Sequence, residues 1–347
     1  MVSAVSKRER VVSVRATRRF GGRRGRSRLA YRLLSASPSA ALACVLCAWL
    51  LPSHAAAQDC QSFPDKRDCP PPAAPETPRG LALGTGVRAA AVSTSALAYS
   101  PAALSLGNLY HIEANLDYMA ELDTVALGAG AVDSSTSKVG AGIALRGFLS
   151  GDDGFTTDAG YDYDGLDGRL GIGLALSEAF ALGVGARYVD ISTESDDLGD
   201  GEIDDDEELV QGFTMDASLR IMPVDGVQID IAALNFIDLD SSFAPVMLNA
   251  GLAIAAASAL SLGIDVLTDM SSFENPEVTV GGGIEYLGGN SIPVRAGYSF
   301  DIAREIHAIG AGIGYTDQRI GLDLGFRQEV AGGDATRIMA AVRYYVN

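Results

Sequence analysis

Charged side chains recur at alternate positions along many segments of this 347-residue chain. In an extended strand, this spacing places the charges on one face and the intervening residues on the other. Both signs occur, at Arg146, Arg187, Asp216, Arg220, Asp230, Asp265, Glu285, Arg295, Asp323, Arg327 and Arg343. Such charges can pair across strands, hold water or clamp an inserted segment, whereas a wide ion-selective pore shows one sign at its constriction. We therefore interpret them first as structural pairs and second as contacts for a transported ligand.

Acidic residues are concentrated between Glu194 and Glu208. Several stand at EF-hand-like offsets, but Leu198 occupies a position that must supply a ligand, so the calcium motif fails. We favour a solvated loop that divalent ions bridge to lipopolysaccharide, and we interpret Asp162, Asp164 and Asp167 as part of a similar loop. The prediction is no metal site and no cofactor.

Two glycine strings superficially resemble dinucleotide loops, at residues 281–283 and 310–314. Their even spacing is typical of one face of a strand, and no helix follows them as a nucleotide-binding fold requires. His111 and His307 are the only histidines after residue 57, and no nucleophile lies beside either in sequence. We therefore predict that the chain is not an enzyme.

A period of two dominates the chain from Leu109 to its C-terminus and predicts strands. Fourteen such segments begin near Leu109, Thr124, Val139, Arg169, Phe180, Gln211, Val227, Val246, Leu260, Val278, Val294, His307, Ile320 and Ile338. Strands of about ten residues suit a tilted membrane crossing. Because backbone groups in lipid must all be paired, an even, closed barrel satisfies them. The pattern predicts an all-β transmembrane antiparallel barrel over residues 107–347, rather than a soluble sandwich.

The predicted connections support the same architecture. Even-numbered connections are tight, whereas Ser150 to Gly168 and Ser192 to Glu208 are long. Outer-membrane barrels alternate short periplasmic turns with longer outer loops, so both termini should be periplasmic. Aromatic residues lie mostly toward segment ends, as interfacial girdles require, at Tyr118, Phe180, Tyr188, Phe213, Tyr286, Tyr315 and Tyr344.

The first 57 residues carry eleven of the 26 Lys and Arg residues, followed by an apolar run and Ala55-Ala56-Ala57. This order is typical of a secretory signal peptide, which we assign to residues 1–57. The chain has a formal net charge of −18, and removing this basic segment makes the remainder more acidic. An acidic surface repels phosphate, so we predict no nucleic-acid partner.

Residues 58–80 read as a Cys- and Pro-rich periplasmic linker. Cys60 and Cys69 are disulfide candidates in an oxidising compartment, and the alternative is two free thiols. The proline-rich stretch behind them would form a stiff spacer.

Residues 83–104 read LGTGVRAAAVSTSALAYSPAAL, which resembles the N-terminal signature of the FadL and PorV superfamily. The matching positions are Gly86, Arg88, Tyr99, Pro101, Ala102 and Leu104, and Ser100 stands where the family usually has Asn. The resemblance implies an outer-membrane barrel in which residues 81–106 fold inward as a plug or hatch.

The resemblance implies two functions. FadL members pass long-chain fatty acids or aromatic hydrocarbons, whereas PorV members are anchors in a secretion system. We favour transport of a hydrophobic ligand, with a non-transporting scaffold as the alternative. An apolar pocket in the barrel would favour transport, and a lumen packed with paired charges would favour the scaffold. Expected partners are outer-membrane lipid, lipopolysaccharide and the barrel-insertion machinery, which would read the apolar C-terminal strand.

Overall fold

A computed structural model of the chain describes residues 66, 76–120, 124–135, 138–150, 162–194 and 207–346. The predicted signal peptide, Cys60, Cys69 and most of the acidic stretch after Glu194 lie outside the described residues.

Fourteen antiparallel strands form one closed barrel, in which consecutive strands are neighbours and the first pairs with the last. The strands are β1 (Tyr110–Met119), β2 (Thr124–Asp133), β3 (Val139–Ser150), β4 (Asp162–Ser177), β5 (Phe180–Glu194), β6 (Glu207–Val224), β7 (Val227–Leu234), β8 (Met247–Ala257), β9 (Leu260–Asp269), β10 (Glu277–Gly288), β11 (Ile292–Asp301), β12 (Ile306–Thr316), β13 (Ile320–Ala331) and β14 (Thr336–Val346). The prediction of a fourteen-stranded antiparallel barrel is confirmed.

Two strands begin earlier than their sequence pattern predicted. β4 begins at Asp162 rather than near Arg169, and β6 begins at Glu207 rather than near Gln211. The interpretation of Asp162, Asp164 and Asp167 as loop residues is therefore wrong, because all three lie within β4, and Asp167 is also buried. Acidic residues disfavour strands in general, but an ion pair inside the barrel compensates for the charge of Asp167, as described below.

The two faces of the wall differ in the way that the alternation predicts. Along β13, Leu322 and Leu324 are 44% and 48% exposed, whereas the intervening Asp323 is 6% exposed. Large apolar side chains point outward on nearly every strand, which is the surface that a bilayer requires. None of the helices in the described ranges is both long and apolar enough to cross a membrane.

The outward face provides a direct test of whether β13 spans the membrane. Leu324 lies in the middle of β13, whereas Ile320 is its first residue, next to the turn. We expect Leu324→Arg to cost about 2–4 kcal/mol of unfolding free energy and Ile320→Arg about 0–1 kcal/mol, because burying a charge costs most at the bilayer midplane. Urea titration of the barrel folded into lipid vesicles measures both values. Equal costs at the two positions would contradict a membrane-spanning β13.

Between residues 76 and 109, a range that the structure describes in full, four short helical elements precede β1. They are α1 (Pro78–Ala82), the 3₁₀ helix η1 (Arg88–Ala90), α2 (Thr94–Tyr99) and the 3₁₀ helix η2 (Pro101–Leu106). α1 starts at Pro78, inside the predicted linker, with Thr77 as its N-cap: the Thr77 hydroxyl accepts from the Gly80 N–H. Proline at the first helical position is well tolerated, because its missing N–H would have no partner there.

The two ends of the barrel are named here by their connections. The odd end carries the connections that follow odd-numbered strands, and the even end carries the others. Lys66 pairs with Glu277 and lies 5.3 Å from the centroid of the Phe273 ring, both at the odd end. Which end of the barrel faces outward, and with it the periplasmic position of residues 58–80, stays a prediction.

Candidate functional site

The helical segment 76–106 lies against the inner face of the barrel, where strand glycines receive its backbone. A Cβ atom added at Gly263 would lie 2.0 Å from the Gly86 carbonyl oxygen, and one at Gly183 would lie 2.1 Å from the Ala102 nitrogen. The same close backbone approach occurs at Gly140, Gly281, Gly297, Gly310 and Gly325. Any larger residue at these positions would push the segment away from the wall. The evenly spaced glycines of the sequence are therefore the positions on which the backbone of the helical segment packs.

The first half of the signature binds to β9. The backbone N–H groups of Val87 and Arg88 donate to one carboxylate oxygen of Asp265, at 3.0 and 2.9 Å. The Arg88 guanidinium lies 4.0 Å from the same carboxylate and 5.1 Å from the centroid of the Tyr99 ring. The Tyr99 hydroxyl accepts from the Thr77 N–H at 3.0 Å, and burial raises the pKa of this hydroxyl above its usual value.

The second half of the signature binds to β6 and β7. The Ser100 hydroxyl donates to Asp230 at 2.5 Å, and the Ala102 N–H donates to the Ser218 hydroxyl at 2.8 Å. Pro101 begins η2, and Leu104 within it is fully buried. Ser100, the departure from the family pattern, thus makes a polar contact with the wall.

Ion pairs link the charged positions around the lumen. One continuous chain of alternating sign connects β1, β14, β13, β11, β10 and α1, in the order Glu113, Arg343, Asp323, Arg295, Glu285 and Arg79. The N–O distances along this chain include 2.5 Å for Arg343 to Asp323 and 3.0 Å for Arg79 to Glu285. The wall is therefore bound to the N-terminal segment by charge as well as by shape.

The other predicted charges form separate groups. They comprise Arg146 with Asp117 and Arg337; Arg187 and Arg169 with Asp167; Arg169 with Asp216; Arg220 with Asp230; and Arg327 with Glu329. Most of these side chains are buried, and the Arg327–Glu329 pair is wider, at 3.8 Å, and more exposed. Since a buried ion without a partner is very costly, such pairing is what a packed lumen demands.

One serine and one histidine that are not neighbours in the sequence lie in contact in the structure. The Ser93 hydroxyl contacts His111 Nδ1 and lies 2.9 Å from Nε2 of the same ring, and both residues are buried. Ser93 has a φ of 67°, a conformation that costs energy for a residue with a side chain. A serine beside a histidine is one element of nucleophilic catalysis. Here the contact attaches the N-terminal segment to β1.

An apolar cluster occupies the lumen at the odd end. Its buried members are Ala126, Phe148, Val189, Ile191, Val210, Phe243 and Ala244, and Met119, Leu209 and Leu239 pack against it. The first five come from β2, β3, β5 and β6, near the odd-end termini of these strands. This group, hereafter the apolar cluster, lies toward the odd end, whereas the N-terminal segment is seated on glycines nearer the even end of β4 and β5.

Residues 235–246, which connect β7 to β8, supply the other two buried members, Phe243 and Ala244, and also Leu239, which packs against them. The β6–β7 pairing runs from Ala217 to Val224, whereas β5 pairs with β6 as far as Glu207. Beyond Ala217 the connection takes the place of a strand: the Phe236 N–H donates to the Met215 carbonyl at 2.9 Å. The wall at this level is therefore completed by a loop.

Asn235 fastens this connection at its base. Its side-chain oxygen accepts from Arg187 at 3.1 Å, and its side-chain nitrogen donates to the Pro245 carbonyl at 2.9 Å. Its own N–H donates to Asp216 at 2.8 Å. The φ of 52° at this residue is one that asparagine tolerates better than most. One residue thus joins both ends of the connection to the ion pairs below.

A small cavity lies between these layers. It has a volume of about 50 Å³, and its lining includes Thr94, Leu97, Arg146, Asp167 and Arg169. Because a cavity that binds benzene has a volume of about 150 Å³, such a space suits water rather than a hydrocarbon. Among the described residues, no group of three or more His, Cys, Asp or Glu is arranged to hold a metal ion.

Sequence reasoning missed the apolar cluster. Its signal was present: Phe148 shares its strand face with Arg146, and Val189 and Ile191 share theirs with Arg187. Large apolar residues on the face that elsewhere carries glycine and charge indicate a local change in the lining of the lumen. The role of 235–246 had no comparable signal, because loop contacts depend on tertiary structure.

Comparisons with solved structures identify the same architecture. The toluene transporter TbuX of Ralstonia pickettii aligns with a TM-score of 0.55 at 12% identity, covering 78% of this chain and 98% of that one. The toluene transporter TodX of Pseudomonas putida gives 0.54 at 14%, covering 78% and 97%. A Pseudomonas aeruginosa FadL homologue gives 0.55 at 11%, covering 78% and 97%.

No family model matches the sequence, and no curated protein matches it. At such low identities the structural likeness shows the fold alone. The resemblance predicted from the residues around Pro101 is confirmed at that level: this chain is a barrel of the FadL-like fold.

Proposed function

We propose that this chain is an outer-membrane channel for hydrophobic small molecules. The observation that carries the proposal is the apolar cluster toward the odd end of the lumen, beside buried ion pairs. Apolar side chains that face the interior of a membrane barrel gain nothing from lipid, whereas they can receive an apolar ligand from water. Solved barrels with this fold are named as toluene transporters, which supports the same class of substrate.

The proposed route begins at the odd end, which faces outward, and reaches the apolar cluster. Below it, the paired charges and the N-terminal segment oppose the passage of an apolar molecule, because each buried ion would have to lose a partner. A ligand then has two exits. It leaves past a displaced N-terminal hatch, or it leaves sideways through the wall between β6 and β8, which residues 235–246 complete.

Substrates within this class are a finer part of the proposal. Long-chain fatty acids and monoaromatic hydrocarbons both have the apolar surface that the cluster would receive. They differ in charge, because a fatty acid carries a carboxylate. The two can therefore be compared directly in one experiment.

Uptake by cells tests the proposed function. A strain without the gene should accumulate labelled toluene or labelled oleate more slowly than its parent. In a separate assay, liposomes that contain the purified barrel should take up these compounds faster than empty liposomes. The empty-liposome rate is the control, because both compounds cross lipid unaided. Equal rates with and without the barrel, for both compounds, would eliminate the transport proposal.

The alternative is a structural barrel that docks other proteins without transport. The ion-paired lower lumen favours it, because a channel has no need of so many permanent internal pairs. Cross-linking intact outer membranes and recovering the barrel should then yield a stable protein partner. A barrel that transports substrate and recovers no partner would exclude this alternative.

A further inference from the structure

Phe243 occupies the apolar cluster as a ligand would. It is 8% exposed and comes from the connection 235–246, whereas Phe148, Val189, Ile191 and Val210 around it come from the wall. The side chain of phenylalanine is a benzyl group, which has the size and shape of toluene. The barrel therefore already contains one phenyl ring at this position, tethered to a loop.

The arginines next to the cluster already have carboxylate partners, and Arg146 shares its partner Asp117 with Arg337. The Arg146 guanidinium lies 4.7 Å from the centroid of the Phe148 ring and pairs with Asp117. Arg187 pairs with Asp167 at 2.9 Å and donates to Asn235 at 3.1 Å. A carboxylate entering here would have to compete with these existing partners. The surroundings therefore favour a neutral ligand over an anionic one.

Two bonds between side-chain hydroxyls and backbone carbonyls hold part of the connection that carries Phe243, and a loop can break and remake such bonds. The Thr214 hydroxyl donates to the Ile237 carbonyl at 2.8 Å, and the Ser241 hydroxyl donates to the Leu209 carbonyl at 2.8 Å. The base of the connection extends the wall, where the Phe236 N–H donates to the Met215 carbonyl, but residues 241–244 belong to no described strand. Displacement of residues 241–244 would therefore leave the paired strands intact. Phe243 can then leave the cluster without unfolding the barrel.

We propose that Phe243 is a tethered competitor for the substrate, and that a neutral monocyclic arene of toluene size binds in its place among Phe148, Val189, Ile191 and Val210. This inference rests on the proposed function and assigns its substrate class. While Phe243 is in place the site is filled, and an arene binds only to the fraction of molecules in which the loop has moved.

Removing the competitor should strengthen binding. In Phe243→Ala, the space left is apolar, and such cavities bind benzene-sized molecules. We expect toluene to bind the purified variant about tenfold more tightly than the unmodified barrel, since the site no longer has to be vacated first. Toluene titration followed by solution NMR of the barrel in detergent measures this ratio. Octanoate should show no such gain, because its carboxylate finds the arginines already paired.

Phe273→Ala is the matched control. Phe273 is equally buried, at 5% exposed, and lies at the same end under the Arg304 guanidinium, but it is outside the apolar cluster. A folded Phe243→Ala barrel that binds toluene no better than Phe273→Ala would overturn the proposal, as would an equal gain for octanoate. If Phe243→Ala does not fold, Phe243→Leu must bind toluene more tightly than the matched control Phe273→Leu.

The outcome separates this inference from the proposed function. If toluene and oleate both enter at the same rate with and without the unmodified barrel, the proposed transport function is wrong. If toluene entry depends on the barrel but Phe243→Ala binds toluene no more tightly than the unmodified barrel, only the competitor role of Phe243 is wrong.

Discussion

Replacing Gly183 by valine is expected to dislodge the N-terminal segment from the wall and open the lumen. A Cβ atom there would lie 2.1 Å from the Ala102 nitrogen and 2.2 Å from the Pro101 carbonyl carbon. Both atoms belong to backbone, which cannot rotate out of the way as a flexible side chain can. The segment must move by more than an ångström, and its packing is lost with it. We expect a large rise in single-channel conductance in planar bilayers.

Gly147→Val is the control for this substitution. Gly147 lies on the outer face of β3, and the nearest atom to an added Cβ would be the Gly165 carbonyl oxygen at 3.9 Å. Valine favours strands more than glycine does, so this variant should fold well and conduct as the unmodified barrel does. If Gly183→Val folds, as shown by heat-modifiable migration on a gel, and conducts no more than Gly147→Val, then the segment does not close the lumen.

Replacing Arg220 by methionine is expected to destabilise the barrel by about 3–5 kcal/mol, because it leaves the buried Asp230 carboxylate without its counter-ion. Arg220 is fully buried, and its Nε lies 3.0 Å from Asp230. It also donates to the carbonyl oxygens of Ala91 and Arg88, at 2.8 and 2.6 Å. The same substitution thus releases the N-terminal segment. Urea titration in vesicles should show the loss, and proteolysis of the segment should accelerate.

Two further variants make this result specific. In the double variant Arg220→Met with Asp230→Asn, no charge remains unpaired, so much of the stability should return. Arg327→Met removes an arginine whose partner Glu329 is 3.8 Å away and partly exposed, and it should cost about 0–1 kcal/mol. A cost for Arg220→Met as small as that for Arg327→Met would show that the pair contributes little to stability.

Most of the wall was predictable from sequence. A strand in this barrel has one face in lipid, so residues such as Leu322 and Leu324 repeat with a period of two that local sequence displays. The start of β4 was missed because Asp162 to Asp167 carries acidic residues typical of loops. Asp167 is accommodated in the strand by its ion pairs with Arg169 of β4 and Arg187 of β5, and the second pair depends on β5 being adjacent.

The interior was less predictable. The inward charges were found by alternation, but their partners were not, since Glu113 meets Arg343 only after β1 closes on β14. The glycine seats were identified as inward positions without their role, because nothing local shows that another backbone lies against them. Phe243 was overlooked for the same reason. It lies in a connection, where neither period nor composition reveals which surface a side chain will contact.

The pairing of β1 with β14 has a consequence for assembly. Tyr110 is opposite Val346 and Met119 is opposite Arg337, so the last ladder joins the two extremes of the barrel sequence. Loops of this length are slow to close. Until β1 pairs with β14, the growing sheet has two free edges. Their backbone donors and acceptors find no hydrogen-bond partners in hydrocarbon. Insertion into a bilayer therefore requires either that the ring seal first, or that another protein lend a strand to one of these edges until its own partner arrives.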